Sequence, residues 1–116
     1  MKKLIPLAFS ILLMTSCSSG GDDSDPTPNP TPTNVTYNGN IKSIMTSNCT
    51  SCHGNPTSNG APMSLTTYSE VVDAVNNRNL INRINSTSNP MPVGGLMPSN
   101  TRQLIQTWVN NGMPEN

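Results

Sequence analysis

Two thiols and an imidazole stand together at Cys49-Thr50-Ser51-Cys52-His53, and His53 is the single histidine of the 116-residue chain. The spacing C-x-x-C-H is that of covalent haem attachment. Thiols separated by two residues lie on one turn of chain, so each can add to a vinyl group of the same porphyrin. The adjacent imidazole then reaches the iron on the same face of the ring. These residues predict one covalent haem c per chain, with Cys49 and Cys52 as thioether links and His53 as an axial ligand to the iron.

Three other chemistries compete for the same side chains. A structural zinc site takes four ligands, but from residue 36 onward the chain has only these two Cys and one His. Glu70, Asp73 and Glu115 show no ligand-like clustering with them. A thiol–disulfide redox pair expects a βαβ context, which the sequence lacks. A structural disulfide closing so short a loop would add little stability.

The elements that must position the motif read as helices. Ile41, Ile44 and Met45 fall at i, i+3, i+4 immediately before Cys49. A second helix is expected to begin at Thr67, with Glu70 three residues on as its capping-box partner and Val71, Val72 and Val75 as its apolar stripe. Leu80, Ile81 and Ile84 predict a short third helix. Leu104, Ile105, Trp108 and Val109 form one face of a fourth, started by Pro98-Ser99-Asn100 and stopped by Gly112 and Pro114. No alternating run reads as a strand, so the fold class is all-α, with long polar loops.

That core is thin. Roughly 80 residues is near the limit at which one hydrophobic core suffices without a disulfide, metal or other staple. Tyr37, Tyr68 and Trp108 are the large aromatics past the leader, and the Asn/Ser/Thr loops contribute little apolar surface. A haem buried among four or so short helices would supply the missing centre.

From Tyr37 onward, about two thirds of the chain, the sequence resembles small class I-like cytochrome c domains. The resemblance is carried by Tyr-Asn-Gly-Asn-Ile-Lys-Ser-Ile ahead of the Cys pair and by Asn-Pro-Met-Pro-Val-Gly-Gly-Leu ahead of a helix containing Gln-Thr-Trp-Val-Asn-Asn-Gly. It implies a small cytochrome c fold, and a second axial ligand from the Met of the Met-Pro loop, here Met91. Met97, also followed by Pro, is the rival, although it aligns where the family often carries a buried Leu. Met45, Met63 and Met113 are weaker candidates, and any Met can simply fill a core. The resemblance further implies that Trp108 packs near the haem or on the first helix. It also implies that a Pro carbonyl orients the His53 ring through Nδ1, with Pro62 as the nearest counterpart and Pro56 competing.

The chain opens like a secreted protein. Lys2 and Lys3 precede an apolar run over Leu4 to Met14, too short for a bilayer-spanning helix of about 20 residues. Leu13-Met14-Thr15-Ser16-Cys17 resembles a bacterial lipobox, which implies that residues 1–16 are a lipoprotein signal peptide and Cys17 the acylated N-terminus; ordinary signal cleavage near Ser16 would instead leave Cys17 a free thiol. Residues 17–35 read as an Asp/Pro-rich tether without apolar side chains to bury over most of their length. The Gly/Asp cluster after Cys17 resembles the surface-export signal of Bacteroidetes-like lipoproteins. Residues 36–116 are then the globular domain.

Without the leader, Lys42, Arg78, Arg83 and Arg102 face Asp22, Asp23, Asp25, Glu70, Asp73 and Glu115, a mature net charge of minus two. No basic stripe supports nucleic-acid binding, and few Lys argue against docking through a positive ring. An iron with imidazole and thioether ligands is six-coordinate, which suits one-electron transfer and leaves substrate no open position. The expectation is an electron carrier and not an enzyme. It would exchange electrons with redox partner proteins while lipid-anchored on the periplasmic or cell-surface face of a bacterial membrane. A haem-binding accessory subunit of a larger redox complex is the second reading. A peroxidase-like enzyme is the third, and it would need distal acid–base groups for which there is no second His.

Overall fold

The computed structural model describes residues 31–116. The expected leader, Cys17 as the expected acylation site, and most of the expected tether lie outside the described residues. A π-helical turn, Tyr37–Ile41, is followed by four α-helices: α1 (Lys42–Asn48), α2 (Tyr68–Asn77), α3 (Leu80–Asn85) and α4 (Ser99–Asn110). No strand occurs among the described residues, as the all-α reading expects. None of the described helices is long and apolar enough to cross a membrane.

Local chemistry explains each start and stop. The Thr36 hydroxyl accepts from the Gly39 amide at 3.0 Å, and the Thr36 carbonyl receives Asn40 N at 3.0 Å and Ile41 N at 3.3 Å. The chain enters α1 through that widened turn, with Ile41 and Met45 buried four residues apart. At α2 the capping box is complete: Thr67 Oγ1 accepts from Glu70 N, and Glu70 Oε2 accepts from Thr67 N at 2.9 Å. Burial pushes the Glu70 carboxyl up. Hydrogen bonds from the Thr67 and Thr66 backbone and from the Thr66 and Ser64 hydroxyls outweigh that and bring it down to about 2.

The inward face of α2 is Val71 and Ala74, with Val72 and Val75 only half-buried. The stripe expected from the valines is therefore rotated to include a small residue, on the helix that packs against α3. Asn79, at φ 62°, reverses the chain between α2 and α3, a conformation that Asn tolerates better than most residues. Helix α4 ends as its sequence predicts. Gly112 takes φ 82°, its amide reaches Val109 O at 3.0 Å, and the Met113 amide reaches Trp108 O at 2.9 Å. This pair of bonds caps the last carbonyls, and the left-handed Gly makes it possible.

The end of the chain ties the helices together. Tyr37, Tyr68 and Trp108 pack edge to face or tilted, with ring centroids 5.4 to 6.4 Å apart. Pro114 O accepts from both Tyr37 N and Trp108 Nε1 at 2.9 Å, and the Tyr68 hydroxyl donates to Met113 O at 2.9 Å. Val35 is fully buried, and Asn111 Nδ2 donates to Thr33 O at 2.8 Å. The packed unit thus begins slightly earlier than residue 36, where the tether was expected to end.

Candidate functional site

The C-x-x-C-H segment folds back on its own first residue. Cys49 caps α1, its amide bonded to Met45 O at 2.8 Å, and the Cys49 carbonyl then accepts from both Cys52 N (3.2 Å) and His53 N (2.8 Å). Gly54 follows where the chain is too tight for a side chain. A Cβ there would sit 2.9 Å from Thr50 O and 3.4 Å from Pro56 O. The Ser58 amide and hydroxyl close the loop onto Cys52 O (2.8 Å) and Ser51 O (2.9 Å).

His53 is buried, at 8 % exposure, and its ring is fixed by one bond, Nδ1 to Met63 O at 2.8 Å. A carbonyl can only accept, so Nδ1 carries a proton, and in the neutral ring the lone pair is then on Nε2. This corrects the expected acceptor: it is Met63, and neither Pro62 nor Pro56. The Leu65 amide donates to His53 O at 2.8 Å, and that register brings the Met63 carbonyl opposite the ring. The orienting contact expected of a ligating imidazole is present, supplied by a different residue.

The ring lines a cavity of about 190 Å³. α1 contributes Met45 and Asn48, the following turn Cys49, and the segment after the motif Pro62, Met63 and Leu65. The lining also includes Leu80, Arg83 and Ile84 of α3 with Arg78 before it, then Met91, Pro92 and Met97. Arg78 is engaged with Asp73 at 3.6 Å, both about half exposed. Both methionines weighed as a second ligand therefore face the cavity that His53 faces, together with Met45 and Met63, whereas Met113 is not in its lining. Met97 is a core residue at 5 % exposure, and Met91 is half-buried on the loop.

The structure separates the remaining candidates. Cys49 is in the cavity wall, and burial pushes its thiol up to about 11. A dithiol redox centre needs an attacking thiol with a lowered pKa, and Cys49 is not placed to be that thiol. Cys52 is half-buried and, unlike Cys49, is not in the cavity lining; Asn59 Nδ2 lies 3.4 Å from its Sγ. Trp108 is not among the lining residues, and its ring is spent on the aromatic cluster and on Pro114 O. Among the described residues, no group of three or more His, Cys, Asp or Glu side chains gathers as a zinc site would require.

A haem c fits this donor set. An imidazole and soft thioethers share a mostly apolar cavity with the half-buried Cys49 thiol, and imidazole and thioether are ligand types that suit haem iron. The sequence reading missed the Met63 carbonyl because a main-chain acceptor has no side-chain signature. It missed Arg83 because one Arg in a polar helix is ordinarily a solvated charge. Compared with protein-family models, with curated proteins and with solved structures, the chain matches none.

Proposed function

We propose that residues 36–116 form a monohaem c-type cytochrome domain that carries single electrons and catalyses no reaction of its own. The observation that carries this reading is the His53 ring, held through Nδ1 on the Met63 carbonyl at 2.8 Å in the wall of a cavity shared with Cys49, Met91 and Met97. Cys49 and Cys52 would hold the haem covalently, each thiol adding S–H across one vinyl group with no net oxidation. His53 Nε2 and the Met91 sulfur would bind its iron. Met97 keeps its place in the core.

The haem, when bound, supplies a reversible one-electron couple, and thioether ligation raises its potential. The chain supplies attachment, ligand orientation and an apolar surround. The resemblance in the leader adds the rest of the proposal: an exported lipoprotein, acylated at Cys17 and held on a bacterial membrane surface, whose Pro-rich tether lets the domain reach redox partner proteins.

Expression with a c-type maturation system, followed by a reduced pyridine spectrum of the denatured chain, tests this directly. A sharp band at the position of a haem with two saturated links is the expected result. Loss of all haem on denaturation would remove the central claim.

A further inference from the structure

Met91 and Met97 both line the cavity, and something must decide which sulfur is presented to it. The loop between them offers little packing of its own. Val93 is 78 % exposed and Leu96 40 %, and a Cβ on Gly94 or Gly95 would meet nothing within 4 Å. Its placement therefore depends on its two ends, and an arginine holds each.

At the first end, the Arg83 carbonyl accepts from the Met91 amide at 3.0 Å. The Arg83 guanidinium reaches forward over the same segment, Nε donating to Asn89 O at 3.1 Å and Nη2 to Asn89 Oδ1 at 3.3 Å. Asn89 N is bonded in turn to Ser86 Oγ at 3.0 Å. At the second end, Arg102 of α4 donates from Nε to Met97 O at 3.0 Å and from Nη1 to Asn85 Oδ1 at 2.7 Å. Both clamps fasten the loop to α3, but only Arg83 also lines the cavity.

We infer that Arg83 is a positioning residue that selects Met91 over Met97 as the iron's second ligand. The inference rests on the haem reading above. The fork of a guanidinium can grip a carbonyl and an amide oxygen of one residue together, which a single ammonium cannot. Removing that grip leaves Asn89, two residues ahead of Met91, held only by its amide on Ser86 Oγ, with the Met91 amide on the Arg83 carbonyl as the other bond at this end. Loss of a charge-assisted bond to the loop weakens methionine ligation by about tenfold, by the size of such bonds. Where ligand loss is coupled to one deprotonation, tenfold is about one pH unit of its midpoint.

The test uses the haem-loaded full chain and reads the absorption band of methionine-ligated ferric haem against pH. Arg83→Ala is expected to lower the pH midpoint for methionine loss by about one unit, and Arg83→Lys, which keeps the charge but loses the fork, to fall between it and wild type. Arg102→Ala breaks two bonds of the same kind at the Met97 end, six residues from Met91, and is expected to move the midpoint clearly less than Arg83→Ala does. An unshifted Arg83→Ala midpoint overturns the inference, and so do equal shifts in Arg83→Ala and Arg102→Ala, which would report general loosening. Should Arg83→Ala fail to fold, the Lys variant carries the same test. Met91→Ala separates the two levels of the argument. If it keeps the wild-type band, the selection role is refuted while covalent haem, read from the pyridine spectrum, still stands. If no haem is attached, both fall together.

Discussion

Replacing Trp108 by Phe should weaken the fold severely and leave the proposed haem site unchanged. Trp108 has no exposed surface, and its Nε1 donates to Pro114 O at 2.9 Å, the carbonyl that also receives Tyr37 N. Phe cannot donate, and the lost bond costs about 1 kcal/mol. Phe is also smaller by roughly 40 Å³, worth about 1 kcal/mol more at about 24 cal/mol per Å³ if the site does not collapse. A loss of about 2 kcal/mol lowers Tm by roughly 8–16 °C in a domain of this size. Thermal unfolding by far-ultraviolet circular dichroism measures the loss, and visible spectra of folded protein at low temperature monitor the haem. A large drop in Tm with unchanged spectra is expected, because Trp108 is absent from the cavity lining. A Tm within about 2 °C of wild type, or a changed ligand-field band in the folded variant, would refute the placement of Trp108 in the structural core.

Two further perturbations test neighbouring parts of the structure. Gly54→Ala drives a Cβ to 2.9 Å from Thr50 O; it should cost about 1–2 kcal/mol as overpacking does and lower the yield of covalently attached haem, whereas wild-type stability and yield would disprove the tightness of that turn. Glu70 is held at about 2, below the 4.5 of a free glutamate, so its contribution is fully present above pH 4.5 and is lost as pH falls through about 2. It amounts to about 1 kcal/mol for a solvent-accessible capping box. Urea titrations between pH 2 and 6 should therefore show wild type losing more stability on acidification than Glu70→Gln, and parallel curves would contradict the assigned hydrogen bonds.

The sequence by itself determined whatever depends on neighbours within about one helical turn. The C-x-x-C-H spacing predicts both sulfurs and the imidazole on one turn, and the Cys49 carbonyl indeed gathers the amides of Cys52 and His53. Thr67 and Glu70 announce the start of α2, Gly112 announces the end of α4, and the apolar spacing places all four helices. These signals are legible because capping and turn bonds join residues three to five apart.

Long-range register decided the rest. The acceptor for His53 Nδ1 is Met63, because the Leu65 amide happens to meet the His53 carbonyl. Trp108 lies with Tyr37 and Tyr68 because residues 113–115 return to bond the π-helical turn and the start of α2. The stripe of α2 includes Ala74, since the facing helix and not hydropathy alone selects the buried side. The arginines that hold the two methionine ends reach bonds set by how α3 and α4 pack. A main-chain carbonyl or a guanidinium acquires its role from whatever the fold brings within 3 Å, and nothing in its own residue type records which partner that will be.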